Sequence, residues 1–179
     1  MARNELRDCF RSAIKGDSIG KKHKGLLIKK PDSKLAGKYL DKAKKNIELC
    51  EIYKNNRFDY MIPEAWYYTL YYCALAILSK FGVESRNQRC TASFLRYVKD
   101  NGLIDYDEEF INRIMVYTDK EEMSDVDERE TARYGPYIES EEVSRQYNHR
   151  IEICKKAISQ CEEIVFSNKE FKIPKELSL

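Results

Sequence analysis

Ala65-Trp66-Tyr67-Tyr68-Thr69-Leu70-Tyr71-Tyr72-Cys73-Ala74-Leu75-Ala76-Ile77-Leu78-Ser79-Lys80-Phe81 decides how this chain folds. Only Thr69, Ser79 and Lys80 interrupt an apolar or aromatic run. Pro63 stands where a first helical turn tolerates proline, because that N–H has no partner anyway. Gly82 follows, in the position suited to a left-handed C-cap. A helix that is apolar all round lies buried among others. This run falls short of the roughly 20 apolar residues a membrane span needs, and Lys80 sits near its end. The reading is a central rod in a helical bundle, with Leu75 deep in the core.

The flanks supply the rods around it. Pro31-Asp32-Ser33 opens an amphipathic helix, with Asp32 or Ser33 as N-cap. Ala36, Leu40, Ala43, Ile47 and Cys50 recur at helical spacing, with Tyr39 and Tyr53 beside them, and the pattern runs to about Lys54. The short turn at Asn55-Asn56-Arg57 makes this helix and the central rod antiparallel neighbours. Downstream, Ser85 or Asn87 caps a helix built on Cys90, Phe94, Leu95 and Val98, which stops at Asn101-Gly102. Asp105 or Asp107 starts another, with Phe110, Ile111, Ile114, Met115 and Tyr117 on its apolar side. The acidic stretch from Asp119 to Glu130 reads as a frayed or broken helix, and Tyr134-Gly135-Pro136-Tyr137 as a turn. Ser140-Glu141-Glu142 opens the last long helix, with Val143, Tyr147, Ile151, Cys154 and Cys161 along its stripe.

Residues 4–15 read as a short helix, and Lys15 to Lys30 as a basic connector. That connector is either a solvated loop or a phosphate-contacting arm, since clustered lysine is the electrostatic mark of nucleic-acid binding. No segment alternates like a strand. The fold class is therefore all-α: an up-and-down antiparallel bundle of four to five long helices. Its divisions are an N-terminal part over 1–30, the bundle over 31–167 and a tail over 168–179.

At 179 residues the chain suits one domain, and its 35% charged residues favour solvated helices. A net charge of +2 gives no global argument for nucleic acid. Cys9, Cys50, Cys73, Cys90, Cys154 and Cys161 lie far apart without a C-x-x-C pair. They read as buried thiols in a reducing compartment, not as metal ligands. With a charged N-terminus that no apolar run follows, the expectation is a cytoplasmic protein without membrane span, metal or cofactor.

The order of these pieces carries a resemblance. A Lys-rich amphipathic helix leads by a short turn into an aromatic helix of the type Tyr-Tyr-x-x-Tyr-Tyr-x-Ala-Leu-Ala-Ile-Leu. Gly82, the polar Ser85-to-Cys90 segment, Gly102-Leu103-Ile104, an Arg-x-x-Ala-x-Tyr motif at Arg129 and a last amphipathic helix follow. From Pro31 to Ser167 the chain resembles the HEPN superfamily (higher eukaryote and prokaryote nucleotide-binding) in its small single-domain form. The resemblance implies a homodimer, often encoded with a minimal nucleotidyltransferase. It also implies, for many members, ribonuclease activity in toxin–antitoxin or defence systems. The family's motif is an Arg followed after four to six residues by a His; the His serves acid–base chemistry and the Arg steadies phosphate charge.

Here the chain departs from the pattern. Its histidines are His23 and His149, and neither follows an Arg at that spacing. Arg129-Glu130-Thr131-Ala132-Arg133-Tyr134 places Tyr134 where the His would stand, and Gln88 occupies a second position often held by His in related sequences. An unperturbed tyrosine, with a pKa near 10, is a poor base at neutral pH. The candidate catalytic pair is Arg129 and Tyr134. The candidate phosphate or nucleotide ligands are Arg86, Arg89, Arg129 and Arg133. Arg145 and His149 share a helix face, and Tyr67, Tyr68, Tyr71 and Tyr72 read as core and dimer seam before base-stacking platform. Three functions follow. The first is a non-catalytic or weakly active module that binds RNA, a nucleotide or a nucleotidyltransferase partner. The second is a ribonuclease acting through Arg129 and Tyr134. The third is a helical interaction protein without ligand.

Overall fold

The computed structural model describes residues 2–18, 20, 22–115, 125–135 and 140–177. In chain order it holds α1 (Ala2–Ser18), β1 (Leu26–Ile28), α2 (Ser33–Asn55), α3 (Ile62–Lys80), β2 (Val83–Ser85), α4 (Gln88–Asp100), α5 (Glu108–Arg113), α6 (Asp125–Tyr134) and α7 (Ser140–Val165). The chain is mostly helical, and the only sheet among the described residues is two-stranded.

The stop and start signals act as read. Asp32 caps α2 by accepting from the Leu35 N–H at 2.8 Å. Asn87, not Ser85, caps α4, accepting from the Cys90 N–H at 2.9 Å. Pro63 lies in the first turn of α3. Gly82 closes α3 with φ +70°, and a Cβ there would lie 2.5 Å from the Lys29 carbonyl oxygen. The parts of the acidic stretch over 119–124 and the turn residues Pro136 and Tyr137 lie outside the described residues, as does Tyr117; Asp125 to Tyr134 is an unbroken helix.

α3 is the rod of the bundle. The start of α2 meets the end of α3, where the Asp32 N–H donates to the Ser79 carbonyl at 3.0 Å, so these two helices are antiparallel. α7 runs parallel to α3. The Cys154 thiol faces the Trp66 carbonyl at 3.9 Å, and the Cys161 thiol faces the Cys73 carbonyl at 3.5 Å, in the same order along both helices. α2 closes the triangle against α7 through Lys44–Glu162 at 2.5 Å and Lys54 over the Tyr147 ring.

Four readings need correction. Leu75 is half-buried rather than deep in the core, although Leu70, Ile77 and Leu78 beside it are fully buried. The residues of α3 that stay partly open are Glu64, Tyr68, Tyr71, Tyr72, Leu75 and Lys80. Glu64, Tyr68, Tyr72 and Leu75 recur at helical spacing, so the rod keeps one face that its neighbours cover only in part. Strands do exist: Leu26, Leu27 and Ile28 pair antiparallel with Ser85, Glu84 and Val83. The basic connector is therefore pinned against the end of α3 instead of being a free loop. The short N-terminal helix extends over Ala2–Ser18.

The fourth correction concerns the cysteines. Cys9 and Cys90 form a disulfide that ties α1 to the first turn of α4. Cys50, Cys73, Cys154 and Cys161 are buried free thiols, as read, and burial pushes the Cys50 thiol up to about 12. A buried thiol of that kind is inert. The bridge removes the cysteine pattern as an argument for a reducing compartment. Residues beyond α7 pack onto the same core. Phe171 lies against Phe81, Leu177 is fully buried, and the Tyr97 hydroxyl donates to Glu176 at 2.6 Å. No helix among the described residues is long and apolar enough to cross a membrane.

Candidate functional site

α6 packs across α3 and turns Arg129 inward. Arg129 is 9% exposed, a rare depth for a charged residue. Its guanidinium carbon lies 4.7 Å from the Tyr67 ring centre and 6.0 Å from that of Tyr68. One nitrogen, Nη2, donates to Glu130 at 3.1 Å, while Nε is buried with no hydrogen-bond partner. The Tyr67 hydroxyl, also buried, makes no hydrogen bond of ordinary geometry. Burial raises the Tyr67 phenol well above its usual range and Tyr71 adds to this, while Arg129 and the nearby Gln88 amide act the other way. The unpaired Arg129 Nε therefore lies over the Tyr67 ring, with Gln88, the first residue of α4, at the Tyr67 hydroxyl. Unpaired buried donors of this kind cost stability unless something accepts from them.

Of the three positions singled out in the sequence, Arg129 and Gln88 both lie against Tyr67. Tyr134 goes elsewhere. Five residues along a helix turn it by roughly 140° from Arg129, and it is 77% exposed. Its ring is touched by Arg133, whose guanidinium carbon lies 5.8 Å away, and Arg133 pairs with Glu64 of α3 at 3.6 Å. Arg129 and Tyr134 are thus not brought to one reacting point within this chain. The remaining candidate arginines are engaged. Arg89 donates to Glu5 of α1 at 2.7 Å, and Arg86 donates to Glu84 of β2 at 3.0 Å.

Neither histidine reaches Arg129's pocket through a described contact. His149 is exposed on α7, and its helix neighbour Arg145 pairs with Glu142. His23, in the connector, is buried and its Nε2 lies 3.1 Å from Glu84, across the small sheet. Burial acts to raise the Glu84 pKa, but the hydrogen bonds from His23 and Arg86 outweigh it and leave the value lowered. A group with a lowered folded-state pKa contributes stability above its unfolded pKa and loses it as pH falls through the folded value. Denaturation at pH 7 and at pH 4 should therefore show a larger acid-induced loss for the wild type than for Glu84→Gln. The carboxylate is 37% exposed, so solvent screening holds the difference below about 1 kcal/mol. Equal losses in the two proteins would remove the His23–Glu84–Arg86 cluster as a stabilising feature.

A cavity of about 420 Å³ opens beside that cluster, at the junction of the connector, α2, α3 and β2. Lys29, Lys30 and Arg86 form its cationic rim, and Leu35, Tyr39 and Leu75 its apolar wall. Sequence reasoning flagged Arg86 and the basic connector separately. It missed the cavity, because Leu35 and Leu75 look like ordinary core positions. The lysines of the connector and the tyrosine of α2 were the available signals. Among the described residues no group of three or more His, Cys, Asp or Glu is placed to hold a metal ion. No protein-family model matches the chain, and no curated protein matches it.

Proposed function

We propose that this chain is a HEPN-like module that binds a phosphate-bearing ligand, RNA or a nucleotide, and cleaves it weakly or not at all. The observation that carries the proposal is Arg129: a nearly buried guanidinium with an unpaired Nε, over the Tyr67 ring. A guanidinium donates charge-assisted bonds to a phosphate oxygen, and bonds of that kind are the strong ones. Neither Gln88, which does not titrate, nor Tyr67, whose phenol burial pushes up, is suited to acid–base catalysis near neutral pH. Exposed Tyr134 is not positioned against Arg129. The resemblance adds two further proposals: a homodimer and a minimal nucleotidyltransferase partner in a toxin–antitoxin or defence-type system. The exposed Leu49, Ile52, Phe58 and Tyr60, at the corner between α2 and α3, suit a protein contact. Sedimentation at tens of micromolar tests the homodimer, and co-purification with the nucleotidyltransferase tests the partner.

The test of function is incubation of the purified protein with total RNA, followed by equilibrium binding. Wild-type protein should leave the RNA intact and bind it with an affinity that falls as salt rises. Arg129→Ala should weaken binding about tenfold or more. Arg129→Lys should fall between the two, because it keeps the charge and loses the planar fork. Cleavage at rates of order one per second, abolished by Tyr134→Phe in a protein that stays folded, would sink the proposal in favour of the ribonuclease. Absence of any binding would favour a ligand-free interaction protein.

A further inference from the structure

The open face of α3 does not end at Arg129. Glu64, Tyr68, Tyr72 and Leu75 run along it, spanning about 16 Å at 1.5 Å per residue. Leu35, Tyr39 and Lys42 of α2 lie alongside at the same helical spacing, in the opposite direction. The rings form a continuous row: Tyr39 and Tyr72 are stacked at 6.2 Å, and Tyr72 and Tyr68 at 5.7 Å. All three are half-buried, so each keeps part of its ring surface open. One end of the row is Arg129 and Arg133, and Lys42 lies over the Tyr72 ring at 5.2 Å. The other end is the cavity with Lys29, Lys30 and Arg86 at its rim.

We infer that this face is a track for a single-stranded oligonucleotide, with the cavity as a second phosphate anchor remote from Arg129. The inference rests on the phosphate-binding proposal and specifies its ligand. Aromatic side chains interleaved with cations are the chemistry that binds single strands without reading sequence, because every base has a π-face. A duplex hides those faces in its own stack and cannot use the tyrosines. A free mononucleotide fills only one end. The acids on the track are already engaged: Asp32 caps α2, Glu84 binds His23 and Arg86, and Glu64 pairs with Arg133. Lys29, Lys30 and Lys42 have no carboxylate partner among the described residues, so the face offers net positive charge to a polyanion. The same charge disfavours a second copy of this chain as the occupant, since a two-fold contact would bring like charges together.

The experiment measures anisotropy of labelled octaadenylate, with AMP as competitor, against wild type, Lys29→Ala/Lys30→Ala and Arg129→Ala. Lys29 and Lys30 are exposed, so their replacement leaves the fold intact. Octaadenylate should bind wild type at least a hundredfold more tightly than AMP. The lysine pair should weaken octaadenylate about tenfold at 0.1 M salt and lower the slope of log K against log salt by about 1.4, at roughly 0.7 per phosphate contact on a single strand. AMP binding should not change in that variant. If octaadenylate binds, responds to Arg129→Ala and ignores the lysine pair, the track is wrong and the phosphate-binding proposal stands. If no nucleic acid binds at all, both fall. If Tyr72→Asp turns a dimer into a monomer in sedimentation, a second copy covers this face and the track is wrong.

Discussion

Removing the Cys9–Cys90 bridge is expected to lower the free energy of unfolding by about 4 kcal/mol. The two cysteines are 81 residues apart in sequence. In the chain-entropy account, a cross-link over a loop of that length takes away roughly 4–5 kcal/mol of freedom from the unfolded chain. The bridge also holds α1 where Gly25 passes it, a contact so close that a Cβ on Gly25 would lie 2.2 Å from the Cys9 carbonyl oxygen. Glu5–Arg89 and the edge-on pair Phe10–Phe94 remain after reduction, so α1 should weaken without being lost at once. The measurement is urea denaturation of the oxidised protein against Cys9→Ser/Cys90→Ser, the double variant being used so that no thiol is left unpaired. Coincident midpoints would show that the bridge contributes nothing to the native state.

The second large effect separates two leucines three residues apart. Leu78→Ala should cost about 2–5 kcal/mol, because the side chain is fully buried between α3 and its neighbours. Leu75→Ala should cost only about 1 kcal/mol, since part of that side chain already lines the open cavity. Sequence alone ranks Leu75 with the core. Equal costs in thermal or chemical denaturation would close the cavity as a feature of the folded chain and take the proposed oligonucleotide track with it.

That pair shows where the sequence was readable. Asp32, Pro63, Gly82 and Asn87 each act through local chemistry, a side-chain acceptor within four residues, a missing N–H or a positive φ, and all four sit where they were expected. Orientation was not readable. A helix that is apolar on every side carries no phase, so nothing in its residues says that Tyr68, Tyr72 and Leu75 share the open face. The strands escaped notice because three residues are too few to display a period of two. The bridge escaped because neither cysteine has a local partner to mark it. At the candidate site, Arg129 stood out by its spacing within the motif. Its burial over Tyr67, and the turning of Tyr134 to solvent, depend on the angle at which α6 crosses α3, which no local pattern encodes.

The parallel arrangement of α3 and α7 sets an order of events in time. α2 reaches α3 through a short turn, so their pairing is a local contact and closes early. α7 reaches the same rod only after everything between Lys80 and Ser140 has been looped out, and that closure carries a larger entropic cost. α6, with Arg129, belongs to that intervening segment and packs on α3 itself. Trp66, the chain's single tryptophan, reports the moment, because it packs against Tyr147 of α7 at 6.2 Å. In stopped-flow refolding, helical ellipticity should therefore return before Trp66 fluorescence. Superimposable single-exponential traces would instead place α2, α3 and α7 in one cooperative step.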